Sequence, residues 1–237
     1  MRTKLTKVLF TKSKVKFSSI KLPRLPICIK SGRAELKEEY WNFIKNTIPT
    51  IHLVVTNRCN IFCKICYANS YQFDFRYDIP MKDILQILKK IGKGKRVILI
   101  GGEPTVRKDI FEIIKAIKKS GNIPELFTNG IKLANIEFVK KLKEAGLRKV
   151  YLSFDGFEEE IYEKLNYNKK LLLLKILALK NLETFEIPIV ISMRVMKSIN
   201  EDQVKNVIEF VVNSIKNKKP IKGILFYGAT PGGRFLI

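Results

Sequence analysis

Three of the four cysteines in this 237-residue chain lie within the string TNRCNIFCKICYANS, spaced Cys59-x3-Cys63-x2-Cys66. Three thiolates on one short loop can close around three corners of a cubane, because soft sulfur ligands select iron-sulfur or zinc centres. The fourth iron would then lack a protein ligand and could bind a small molecule directly, as the open position of a catalytic zinc site does. The competing centre is a closed structural zinc site, which needs four ligands. Its fourth ligand would have to be Cys28 or His52, the single histidine. Cys28 stands in a Pro-flanked stretch and His52 inside an apolar run, so neither completes a zinc pattern. A three-ligand iron-sulfur cluster is therefore the expectation, with Cys28 an ordinary free thiol. Such crowding of cysteines is not a disulfide framework, and it places the chain in a reducing compartment, the cytoplasm.

The elements that must position this loop are legible in the hydrophobic pattern. Short apolar runs at 51–55, 96–100, 123–127, 148–154, 187–195 and 222–227 read as strands. They alternate with amphipathic stretches at 81–91, 107–119, 134–145, 158–183 (broken near 166–168) and 200–215, which read as helices. A repeating strand-helix series implies a parallel sheet with right-handed crossovers, hence an α/β fold. We expect a partial (β/α)6 TIM-like barrel preceded by a short N-terminal arm and helix: residues 1–48 for the arm and a helix near 34–45, residues 49–237 for the core domain. Loops after the strand C-terminal ends gather on one rim, where α/β proteins build their sites.

Every polar motif falls on that rim. After the second strand stands GGEPT, where Gly101 and Gly102 let the backbone approach a ligand closely and Glu103, followed by Pro104, suits an ammonium group. The third strand ends in Thr128-Asn129-Gly130 and the fourth in Ser153-Phe154-Asp155-Gly156, both supplying small polar groups. Ser192 and Arg194 alternate on the fifth strand and share a face, and Arg194 on an apolar strand calls for an anionic partner. The sixth strand leads into GATPGGR at 228–234, while GKGK at 92–95 lacks the frame of a phosphate-binding loop.

C-x3-C-x2-C after the first strand, with these motifs at the following strands, resembles the radical S-adenosylmethionine superfamily over roughly residues 50–235. The resemblance implies a 4Fe-4S cluster on Cys59, Cys63 and Cys66, and S-adenosylmethionine chelated to its open iron. Reductive cleavage of that cofactor would give a 5′-deoxyadenosyl radical that takes hydrogen from a substrate. It further implies cofactor contacts from Gly101, Gly102, Glu103 and Pro104 along the methionine amino group. Thr128, Asn129, Ser153 and Asp155 would lie near the sugar or methionine parts, and Ser192 and Arg194 near the carboxylate. Ile65 stands where many members carry an aromatic residue over the adenine, with Tyr67 just after. A reducing partner such as ferredoxin or flavodoxin and a small-molecule substrate are implied. The motif strings look most like members acting on lipid chains or pterins. No cysteine follows Cys66, so no auxiliary cluster is expected here. The sixth strand ends close to Ile237, which admits a truncated barrel, a minimal member, or one completed by a partner.

Composition bounds these readings. At 46% hydrophobic residues the chain can bury the core of one domain. With 45 Lys and Arg against 22 Asp and Glu the formal charge is +23, a field that attracts polyanions and admits a nucleic-acid partner. The basic residues are spread along every helix instead of forming one stripe, so a Lys-rich solvated surface explains them equally. Neither a membrane span nor a secretory signal is expected. Two other readings stand beside the enzyme: a zinc-stapled basic nucleic-acid-binding protein, and a catalytically silent subunit that holds a cluster.

Overall fold

The computed structural model describes residues 28–30, 33–35, 38–66, 70, 78–166 and 168–228. The chain divides into two compact units, Met1–Glu38 and Glu39–Ile237. In the first, strands β1 (Cys28–Lys30) and β2 (Arg33–Glu35) form a small antiparallel hairpin. No strand was expected within the arm over those residues, and the hairpin corrects that. The basic and Pro-rich flanks mask two strands of three residues each, too short to show a period. The following helix, α1 (Glu38–Thr47), starts four residues later than position 34. Tyr67, the arm before Cys28 and the stretch 229–237, which holds most of GATPGGR, lie outside the described residues.

The second unit is built on β3 (Thr50–Thr56), β4 (Arg96–Gly101), β5 (Ile123–Thr128), β6 (Lys149–Ser153), β7 (Ile189–Val195) and β8 (Ile221–Gly228). These pair in sequence order, all parallel, as one six-stranded sheet that does not close on itself. Parallel neighbours require crossovers, supplied by α2 (Met81–Ile91), α3 (Ile110–Lys119), α4 (Ile136–Ala145), the pair α5 (Glu159–Asn166) and α6 (Leu171–Thr184), and α7 (Gln203–Lys216).

Register explains why the strands read as unbroken apolar runs. Leu53, Leu99, Leu126, Val150, Ile189 and Ile221 lie side by side across all six strands, each at most 5% exposed. They share one core with Ile84 and Leu88 of α2, Ile113 and Ile117 of α3, and Leu142 of α4. Residues an odd number of steps along point to the other face: Glu125 with Lys149, Phe127 with Tyr151, and Ser153 with Ser192 are register partners there. Burial on both faces is what a parallel sheet demands of its sequence.

Helix boundaries follow local chemistry. Asn135 caps α4 by accepting from the Phe138 N–H at 3.1 Å, and Gly146, in the left-handed conformation at φ 102°, closes it. Helix α3 begins three residues after the expected 107 because Pro104–Val106 forms a short 3-10 turn. Arg107 is spent elsewhere: its guanidinium donates to the Val55 and Ile79 carbonyls at 2.7 and 2.8 Å and pairs with Asp109.

Candidate active site

The cysteine loop leaves the C-terminal end of β3 and is held from four sides. The Arg58 N–H donates to Thr56 Oγ1 at 3.0 Å, turning the chain. The Arg58 side chain then forks onto Asp78, which also accepts from the Thr56 hydroxyl at 2.6 Å. From β4, the Gly102 N–H donates to the Thr56 carbonyl at 2.9 Å and the Glu103 N–H to the Arg58 carbonyl at 2.8 Å. From α5, the Leu165 carbonyl accepts from the Lys64 N–H at 2.9 Å. Between the thiols, Ile61 and Ile65 are buried at 8% exposure and anchor the loop in the core.

Those contacts explain the paired glycines. A Cβ on Gly101, where φ is +149°, would stand 2.2 Å from the Thr56 carbonyl oxygen, and one on Gly102 would stand 2.2 Å from that of Arg58. The glycines let β4 close against the backbone that carries the cysteines. Pro104, buried, opens the 3-10 turn that follows.

Glu103 is buried at 1% exposure beside the loop. Its Oε1 accepts from the Thr105 N–H at 3.1 Å, the Thr105 hydroxyl at 2.6 Å and the Thr128 hydroxyl at 2.8 Å, and its Oε2 from the Asn129 N–H at 2.7 Å. Burial pushes its carboxyl above the ordinary value against the pull of these donors. The Asn129 amide donates to Asn60 Oδ1 at 2.8 Å, tying the loop after β5 to the cysteine loop. Gly101, Gly102, Glu103, Thr128 and Asn129 are thus one connected group, joined to the cysteine loop at Thr56, Arg58 and Asn60.

A second group faces it from β6 and β7. Ser153 and Ser192 stand side by side in register. The anion that Arg194 calls for is Asp155, which is 1% exposed and takes the guanidinium at 3.1 Å and the Arg194 N–H at 3.1 Å. Burial disfavours the Arg194 charge, but Asp155 and Cys63 outweigh it and raise the pKa further. Asn200, fully buried, donates to the Asp155 and Arg194 carbonyls, both at 2.8 Å, and so locks the two strand ends together.

Asn60, Asn166, Lys175 and Asn200 were not legible as site residues. Lys175 is the single charge within the apolar run of α6, and that was its only signal; its Nζ donates to the Asn129 and Ser153 carbonyls at 3.0 and 2.5 Å. Burial lowers its pKa to about 8. Asn166 donates to Cys63 Sγ at 2.9 Å from what reads in sequence as a mere helix break.

The three thiols are partly buried. Burial pushes Cys59 up to about 12, and raises Cys63 against the pull of Arg194. Metal binding must therefore displace protons from them. Among the described residues no three His, Cys, Asp or Glu side chains gather tightly enough to hold a single ion. A cubane asks for something different, thiolates at separate corners, and an all-sulfur donor set on one loop has the chemistry for it. His52 is in the body of β3, paired with Ile98, and Cys28 is in β1.

Fold and site define an open parallel α/β barrel with a three-thiol loop on its C-terminal rim. Residues 53–211 match the Radical SAM superfamily, and the chain belongs to that superfamily, whose cofactors are a 4Fe-4S cluster and S-adenosylmethionine. The chain is 35% identical over 196 residues to 7,8-dihydro-6-hydroxymethylpterin dimethyltransferase of Methanocaldococcus jannaschii, covering 80% of this chain and 38% of that protein. It is 31% identical over 173 residues to the probable GTP 3′,8-cyclase of Pyrococcus horikoshii, covering 71% and 54%. It therefore spans between about two fifths and a little over half of these relatives. In fold it is similar to Streptococcus suis SuiB bound to S-adenosylmethionine, with TM-score 0.63, 19% identity and 80% and 43% coverage. It is also similar to methylornithine synthase (PylB), with TM-score 0.61, 16% identity and 84% and 61% coverage.

Proposed function

We propose that this chain is the core of a radical S-adenosylmethionine enzyme, in which Cys59, Cys63 and Cys66 would hold a 4Fe-4S cluster beside bound S-adenosylmethionine. The chemistry so supplied is reductive cleavage of a sulfonium to a 5′-deoxyadenosyl radical, which abstracts hydrogen from a C–H bond. The observation that carries this reading is the thiol loop clamped between the Gly101-Gly102 turn and α5, with two polar groups converging on it.

The protein's own residues bind and orient. Gly101 and Gly102 bring β4 against the thiol loop, and Pro104 with Glu103 and Thr105 fixes the turn beyond. Glu103, with Thr128 and Asn129, offers a buried carboxylate to the cofactor ammonium group. Arg194, steadied by Asp155, presents a cation to its carboxylate, and the Ser153 and Ser192 hydroxyls line the floor between. A small-molecule substrate follows, with a pterin-type ring the first to try, on the strength of the 35% identical relative. A net charge of +23 favours a negatively charged reductant such as ferredoxin or flavodoxin, and extends to a nucleic acid as docking partner. Among the described residues no helix is long and apolar enough to cross a membrane. The close spacing of the cysteines supports a reducing compartment, the cytoplasm, as the setting for the reaction.

The test is anaerobic reconstitution with iron and sulfide, then dithionite and S-adenosylmethionine. We expect release of 5′-deoxyadenosine. A folded, iron-loaded chain that releases none would contradict the enzymatic reading and leave a silent cluster-binding subunit.

A further inference from the structure

We propose that Asn166 is a positioning residue that raises the reduction potential of the cluster through a hydrogen bond to Cys63 sulfur. This rests on the reading above, that Cys63 is a cluster ligand. Asn166 ends α5 at 6% exposure, and its Nδ2 donates to Cys63 Sγ at 2.9 Å. The contact is built in: the adjacent Leu165 carbonyl takes the Lys64 N–H at 2.9 Å, so the helix end and the thiol loop are joined at two consecutive residues. Helix α5 is itself pinned, because the Tyr162 hydroxyl donates to the Gly156 carbonyl at 2.8 Å and accepts from the Asp155 N–H at 3.2 Å.

Cys59 and Cys63 do not share one environment. Cys63 faces the Asn166 amide and the Arg194 and Lys175 cations, with Asp155 opposing them. Cys59 faces the Glu103 carboxylate and one backbone N–H, that of Ile61. Adding an electron to a cluster increases its negative charge, and donors to the ligand sulfurs stabilise the reduced form, which moves the potential upward. Asn166 is the neutral donor in this set. Its amide can be removed without changing any charge.

The experiment is a redox titration of the reconstituted 237-residue chain with dithionite and mediators. The reduced cluster is followed by its paramagnetic signal, so the potential is read from loaded molecules alone. Asn166→Leu removes the donor and keeps the branched shape of the side chain, and Asn166→Asp replaces the donor with a negative charge of the same shape. We expect midpoints falling in the order wild type, Asn166→Leu, Asn166→Asp. A purely structural role would lower iron content in either variant and leave the midpoint of the loaded fraction in place. Midpoints unchanged in both variants overturn the proposal and leave the functional reading standing. A wild-type chain that takes up no iron overturns both.

Discussion

Glu103 accepts four hydrogen bonds inside the protein, from Thr105 twice, Thr128 and Asn129. All of its partners are donors, so an amide in its place must turn an N–H toward one of them. We therefore expect Glu103→Gln to lower stability by roughly 1–3 kcal/mol, measured as a shift in the denaturant midpoint. Asp78 makes the opposite case at the surface. Burial alone would raise its pKa, but the hydrogen bonds from Arg58 and Thr56 win and hold it below the usual carboxylate value. The folded chain thus resists protonation where the unfolded chain accepts it. The contribution is present above the ordinary carboxylate pKa and lost as pH falls through the depressed value. The pair is about one-third exposed, so the contribution is at most about 1 kcal/mol. Melting temperatures from pH 6 down to about pH 2 should fall more gently for Asp78→Asn than for the wild type, converging in acid. Parallel curves would show that Asp78 does not hold the thiol loop.

At the scale of elements, the row Leu53, Leu99, Leu126, Val150, Ile189 and Ile221 is what lets six strands cohere. Leu126 sits in mid-row at 0% exposure, so Leu126→Ala should cost about 2–5 kcal/mol by calorimetry or denaturant unfolding. A smaller loss would mean that the sheet relaxes around the cavity. This row is also why the strands were legible: apolar runs buried on both faces leave a signature no loop imitates. Helix α3 was misplaced at its start because Arg107 continues the helical pattern in sequence but is committed to the Val55 and Ile79 carbonyls in space. The β1–β2 hairpin was missed for lack of length. In the site, cysteines and glycines announce themselves by type and spacing. Asn60, Asn166 and Asn200 act through partners that are distant in sequence, 69 residues away for Asn60 and 103 for Asn166, and an asparagine in a turn looks the same whether or not it has such a partner.

Across the whole molecule, the open edge at β8 leaves Leu225, Phe226 and Tyr227 exposed at 37–43%, and the chain covers only part of each relative it matches. The thiol loop and the strand ends around it are where the central claim can be tested. The direct measurement is iron and acid-labile sulfide per chain after anaerobic reconstitution, for the wild type and for single alanine variants of Cys59, Cys63, Cys66 and Cys28. We predict about four irons in the wild type and in Cys28→Ala, and a large loss in each of the other three. Iron retained without any one of Cys59, Cys63 or Cys66, or lost equally without Cys28, would contradict the account.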